Sequence, residues 1–233
     1  MLPHDMPSLL RAFKDFRYHV FYSLFLSRHY PLLELGDRST GCNWRFCPTG
    51  LNAASIVYSG GIGRDVTFEH GLLDRFGCDV VLFDPSPTGL ETMARPENQA
   101  PGFKFHPVAL AGRCGKLTFA PPPNSDEGSW FASPGASGAI EVEAVDLTTL
   151  MRLHQHDRID LLKIDIEGAE YEVLDDLLAR RLPIRQVAVE FHHSNLPGIR
   201  RSQSIRAILM MRAAGYKLID VYGNNHTFLR PRP

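Results

Sequence analysis

Leu161-Leu-Lys-Ile-Asp-Ile-Glu-Gly-Ala-Glu170 decides how this chain reads. Leu161, Leu162, Ile164 and Ile166 form a near-continuous apolar run, the pattern of a strand covered on both faces. Lys163, Asp165 and Glu167 interrupt it toward its carboxyl end, which is where an open α/β sheet gathers its chemistry. Gly168 lets the backbone turn. Glu170 and Glu172 suit the positive end of the helix that follows, and Arg180, Arg181 and Pro183 charge and stop its far end. Tyr171, Leu174, Leu177 and Leu178 give that helix one apolar face.

Upstream, Ile56-Val57-Tyr58 is a short β-type run followed by Ser59-Gly-Gly-Ile-Gly63. A helical pattern then carries Phe68, Leu72, Leu73 and Phe76 on one face up to a stop at Gly77. Cys78-Asp-Val-Val-Leu-Phe-Asp84 reads as a second buried strand ending in an acid, so the three pieces make a right-handed βαβ unit. Glycines without Cβ atoms let a loop lay its N–H groups against a ligand at a helix N-terminus. Asp84, roughly twenty residues beyond them, stands where an acid accepts hydrogen bonds from both ribose hydroxyls of a nucleoside. Loop and acid together predict a nucleoside-bearing cofactor.

The rest of the chain continues the alternation. Phe105–Leu110 is expected as a third strand, and Lys116–Phe119 and Ala139–Val145 as two β segments of an insertion over 112–145. The Pro/Ser/Gly-rich loop between them holds Trp130 and Phe131 and could act as a lid. Asp146 begins a helix leading into the 161–166 strand. Gln186–Phe191 is a further strand ending in Glu190, His192 and His193. Ser202 is expected to cap a helix that stops at Gly215, and Tyr216–Val221 with Thr227–Arg230 forms a closing hairpin. The fold class is therefore α/β: a doubly wound, mostly parallel sheet with an antiparallel C-terminal hairpin. Residues 54–233 form the main domain, and 1–53 form an N-terminal extension, a helix and then an irregular cap.

The 233 residues carry a formal net charge of −1, which gives no reason to expect nucleic acid as a partner or a polybasic membrane patch. Tyr18–Ser27 is apolar but too short to span a bilayer, so no membrane span is expected. Four scattered cysteines do not form a disulfide framework, and a reduced, cytoplasmic protein is the expectation. Cys42 and Cys47 have no second Cys or His pair at metal-ligand spacing.

Leu162-Lys-Ile-Asp-Ile-Glu-Gly-Ala-Glu170, the Phe83-Asp-Pro-Ser-Pro87 turn, the Val145-Asp-Leu lead-in and Val189-Glu-Phe-His192 together resemble the FkbM-type S-adenosylmethionine-dependent methyltransferases. The resemblance covers about residues 54 to 230. It implies the class I methyltransferase fold and O-methylation of a hydroxyl on a small molecule or sugar. It implies further that Gly60, Gly61 and Gly63 line the methionine part of the cofactor, with Ser59 at the position of the first glycine. Asp84, followed by Pro85, would hold the ribose, Ala109 would lie near the adenine, and Asp165 near the transferred methyl. One departure stands out: Val57 occupies the place where members commonly carry an acid, and Asp65 or Glu69 is available to substitute for it. Two alternatives follow. Loop and acid serve NAD(P) equally well, although Phe68 and its neighbours replace the late glycine of an oxidoreductase fingerprint. Val57 and Ser59 also suit a cofactor-binding relative without catalysis.

Methyl transfer from a sulfonium is an in-line displacement, in which positioning dominates and a general base assists the hydroxyl. Asp165, Glu167, Glu190, His192 and His193 all fall at carboxyl ends of adjacent strands. A neutral imidazole of His192 or His193 is the expected base, because it can accept a proton near pH 7. No metal is assigned: Asp165 and Glu167 are candidate ligands for a divalent cation, but two acids are too few to establish one.

Overall fold

A computed structural model describes residues 22–121, 130–132, 138–193 and 199–231. Its centre is a seven-stranded sheet built from β3 (Val57–Gly60), β4 (Val80–Phe83), β5 (Phe103–His106), β10 (Ile159–Ile164), β11 (Ile184–Glu190), β12 (Lys217–Tyr222) and β13 (Asn225–Leu229). The strand order is β12-β13-β11-β10-β3-β4-β5. All neighbours run parallel except β13, which is antiparallel to both β11 and β12. That is the expected doubly wound sheet with its reversed hairpin, and the switch point lies between β3 and β10.

The strands bury alternate residues on opposite faces. Tyr58, Val81, Phe83, Leu162 and Ile164 pack beneath α3 (Leu147–Leu153), α4 (Glu170–Ala179) and α5 (Arg201–Ala213). Val57, Val80, Leu82, Leu161 and Ala188 face α1 (Thr67–Phe76) and Met93 of α2 (Pro87–Ala94). With every β3, β4 and β10 residue buried, these strands cannot show the polar alternation of a half-exposed sheet.

Several expectations are corrected. The stretch between Leu33 and Phe46 is not irregular: β1 (Leu33–Leu35) and β2 (Trp44–Phe46) pair antiparallel and cover the α1 face of the sheet. Trp44 and Phe46 join the core with Phe68 and Ala188. The fully buried Gln186 of β11 completes the attachment, accepting from the Cys47 amide at 3.0 Å and donating to its carbonyl at 2.9 Å. Phe105–Leu110 is not one strand either. Pro107 cannot donate to a ladder, so β5 ends at His106 and β6 (Ala109–Leu110) joins a second sheet. That sheet, in the order β6-β9-β7-β8, holds β7 (Gly115–Ala120), β8 (Phe131–Ala132) and β9 (Ile140–Val145). Most of the loop expected as a lid lies outside the described residues, as do residues 1–21. Ser202 lies inside α5, whose first turn is closed instead by Gln203, accepting from the Arg200 amide at 2.6 Å. Among the described residues no helix is long and apolar enough to cross a membrane.

His226 on β13 is 1% exposed. Its Nδ1–H donates to the Asn224 carbonyl at 2.8 Å, leaving Nε2 to accept from the Tyr22 hydroxyl at 2.8 Å. Burial pushes its pKa down to about 4, and the charge of His193 adds to the shift. Unfolded histidine titrates near 6.5. The unfolded chain therefore binds the extra proton between those values, and stability is lost as pH falls through that window, by at most roughly 3 kcal/mol. Urea unfolding of the wild type and of His226→Gln at pH 7.5 and pH 5 isolates this contribution: between the two pH values the wild type is expected to lose about 2 kcal/mol relative to the variant, on top of the opposite contributions of His192 and Glu190. An equal pH slope in the variant would contradict the assignment.

Candidate active site

Register builds the site. Gly60 pairs with Phe83 and Ile164, and Ile164 pairs with Val189, so these four form one row across parallel strands. The next residue on each strand is Gly61, Asp84, Asp165 or Glu190. A glycine turn and three acids thus share the carboxyl lip of the sheet.

The glycine loop is tied down from both sides. The Gly61 amide donates to the Phe83 carbonyl at 2.9 Å, and its carbonyl accepts from Nζ of Lys163, a side chain of β10 that is 4% exposed. Asp84 Oδ2 accepts from the amides of Ile62 (3.1 Å) and Gly63 (2.9 Å), while Oδ1 accepts from Ser86 (2.8 Å). Three amides leave one acceptor position on a carboxylate that offers about four. Sequence reasoning missed the helix α2 that covers this acid. Its signals are Ser86, whose hydroxyl caps the Gly89 amide at 3.0 Å, and Pro87 in the first turn. At Gly89 a Cβ would lie 2.4 Å from Asp84 Cγ, so only glycine lets the helix lie on the carboxylate.

The remaining expected cofactor contacts divide. Above Gly63 a Cβ would meet nothing within 4 Å, so the loop faces open space. Ser59 instead points under the loop, donating to the buried Glu69 at 2.5 Å. Asp65 is occupied by Thr40 and by the α1 amide of Thr67. Ala109 packs with Ala111, Val142 and Ala144 in the second sheet, whereas its neighbour Leu110 lies against Gly60. Pro85 lies in the turn between Asp84 and the Ser86 cap.

The two histidines separate as well. His193 Nδ1 sits 3.0 Å from the Ser204 hydroxyl on α5, itself 2.9 Å from Tyr171, and forms part of the wall. His192 turns into the acids. Its Nδ1 lies 2.7 Å from Glu170 Oε1, and its Nε2 faces Glu167 at 3.4 Å and Asp165 at 3.6 Å. Burial disfavours its charge, but the Glu170 hydrogen bond and the charges of Glu170, Glu167 and Asp165 outweigh burial and push it up to about 10. So held, His192 does not offer the neutral imidazole expected from sequence, whereas burial and the charge of Arg201 push His193 down from its ordinary value. Burial also raises Asp165, against the pull of Lys163 and His192, and it holds Glu190 up to about 7 with help from the Asp165 charge.

Glu170 was legible only as an acid at a helix start. Fully buried, its Oε1 also accepts from the Gly168 amide at 3.0 Å and the Ile166 amide at 3.3 Å, so it fixes both the turn and His192. Glu167 is held at φ 52°, a left-handed conformation unusual outside glycine, in that same turn. Trp44, from the N-terminal hairpin, sets its ring 5.2 Å from Lys163 Nζ and brings a third layer to the lip.

Strand order, glycine loop after β3 and acid after β4 define a class I methyltransferase domain. The methyltransferase FkbM domain matches residues 60–218, and the chain belongs to that family. This membership sets aside the oxidoreductase alternative and makes S-adenosylmethionine the cofactor. A hexuronic acid methyltransferase, AglP, from Haloferax volcanii is 24% identical over 125 residues, 53% of this chain and 51% of that protein. The chain thus spans about half the length of the curated relative it matches. Among solved structures, a Methanococcus jannaschii fibrillarin, a pre-rRNA processing protein, aligns with a TM-score of 0.42 at 10% identity, over 78% of this chain and 69% of that one. Aeropyrum pernix fibrillarin, solved with natively bound S-adenosylmethionine, aligns with a TM-score of 0.42 at 11% identity, over 77% and 66%.

The residues present fit the cofactor on two counts: open space over Gly63 and a buried carboxylate at Asp84 with acceptor capacity to spare.

Proposed function

We propose that this domain transfers the methyl group of S-adenosylmethionine to a hydroxyl oxygen of a small molecule or sugar. The observation that carries the reading is the single register row putting Gly61, Asp84, Asp165 and Glu190 side by side on the sheet's lip. When bound, the cofactor supplies an electrophilic methyl carbon whose sulfur keeps the electron pair as the new C–O bond forms. Gly60, Gly61 and Gly63 would line its methionine part and Asp84 would hold the ribose. Asp165 and Glu190 form a carboxylate floor beside it, positioned to orient the acceptor hydroxyl and to receive its proton. His192, held charged by Glu170, braces that floor. The hexuronic acid named for the Haloferax protein makes uronic acids the first acceptors to try.

Calorimetry with S-adenosylmethionine and NAD side by side, followed by transfer of a labelled methyl to a panel of hydroxylated sugars including uronic acids, tests the proposal. Cofactor binding and an O-methylated product support it; binding of NAD alone rejects it. Asp84→Asn keeps the shape of the side chain but removes its charge. It is expected to weaken the cofactor by about 1.5–3 kcal/mol, the range for hydrogen bonds to charged groups, or roughly 10- to 100-fold in Kd. Unchanged affinity would show that the ribose is held elsewhere.

A further inference from the structure

The lip gathers more acids than cations. Asp165, Glu167, Glu170 and Glu190 converge there, and Lys163 and His192 are the cations within the same group. Acids alone would indicate only a solvated cluster, but His192 adds an independent observation. Its side chain is 5% exposed, and Nδ1 is locked on a fully buried carboxylate. Its Nε2 is aimed between acidic oxygens, and among the described residues it has no hydrogen bond of normal geometry. A buried carboxylate fixing one ring nitrogen while the other faces open acids is the support that a metal-ligating imidazole commonly has.

We propose that Asp165, Glu190 and His192 bind one divalent cation of the Mn²⁺ type, which takes the place of the proton that His192 otherwise holds at Nε2 while Nδ1–H stays on Glu170. One ligand atom from each of the three lies within 4.8 Å of those of the others. Opposite ligands of an octahedral ion with bonds near 2.1 Å stand about 4.2 Å apart, so small side-chain rotations close the site. Two carboxylates suit a hard dication and the imidazole shifts the preference from Mg²⁺ and Ca²⁺ toward Mn²⁺. Three protein ligands leave open positions for a pair of substrate oxygens, such as a vicinal diol or the carboxylate and hydroxyl of a uronic acid. In this way the cation deepens the proposed methyl transfer by selecting acceptors with two adjacent oxygens, and its role in selection rests on that reading. Its binding does not.

The test therefore reads metal on the protein without cofactor. Mn²⁺ titration of the full chain, followed by electron paramagnetic resonance and calorimetry, is expected to give one site. Glu190→Gln and His192→Asn should each weaken it at least 10-fold. Glu170→Gln, which touches no metal in this scheme, should weaken it 10- to 100-fold through loss of the imidazole's support. Circular dichroism and S-adenosylmethionine calorimetry on the same variants report whether each is folded. No Mn²⁺ site in a chain that binds S-adenosylmethionine overturns the cation and leaves the methyltransferase reading intact. A site unaffected by all three substitutions in folded protein is adventitious and equally overturns it. Mn²⁺ binding that depends on these residues without cofactor binding supports the cation and rejects the methyl transfer.

Discussion

Lys163→Met is expected to lower the stability of the domain by about 3–5 kcal/mol, the range for breaking a buried charge pair by removing one partner. The ammonium group of Lys163 lies under the glycine loop. It donates to the Gly61 carbonyl, lies 4.0 Å from Asp165 Oδ2 and faces the Trp44 ring. Its charge also acts on the fully buried Glu69. Methionine matches the length and packs well, so the cost comes from what remains: a half-buried carbonyl without its donor and two carboxyls without their nearest cation. Proton uptake by those acids limits the loss but does not cancel it, because a neutral acid in place of the pair still leaves Gly61 unheld. Urea unfolding at pH 7.5 measures the change through a lower midpoint at an unchanged slope. A shift below about 1 kcal/mol would mean that the lysine is a bystander of the loop rather than its anchor.

The anchor was visible in sequence only as a charge in an apolar run, and the same division holds elsewhere. Patterns that act along the chain were readable. The run from Ile56 to Asp84 and the acids after Leu162 lie in single βα segments, so hydrophobic period and glycine position locate them. Contacts made across the chain were not. Glu170 and His192 are separated by 22 positions and meet because α4 starts under the end of β11. Gln186 and Cys47 are 139 positions apart. The β1–β2 hairpin is also of this kind: Leu33–Leu35 and Trp44–Phe46 are three residues each, too short to show a period, and gain their strand character from burial against Ala188 and Phe68. Helix α2 was obscured by its own function, since the Gly89 that lets it touch Asp84 also weakens a helical pattern. The charge of His192 was hidden in the same way. His192 at a strand end suggests a neutral imidazole, but three acids brought from the β10 turn and α4 hold it charged.

Gly61→Ala should remove cofactor binding and cost roughly 3–5 kcal/mol, combining left-handed backbone strain with overpacking. Gly61 has φ 75°, and a Cβ there would sit 1.6 Å from the Asp165 carbonyl oxygen and 2.7 Å from its carbon. The obstacle is backbone, so no side-chain rotation relieves it, and either the loop or the β10 turn must shift. Either movement separates Gly61 from the Phe83 carbonyl or from Lys163, and carries Asp165 out of line with Asp84 and Glu190. Gly63→Ala isolates the strain from the clash. Gly63 also lies in the left-handed region, at φ 52°, but nothing stands within 4 Å of the added methyl, so about 1–2 kcal/mol is expected. Melting temperatures of the two variants should therefore diverge, Gly63→Ala falling only slightly and Gly61→Ala several times as far, although the methyl of Gly63→Ala enters the space proposed for the cofactor and weakens its binding too. If both behave alike, the loop after β3 does not rest on the turn after β10, and the row of acids loses the contact that aligns it.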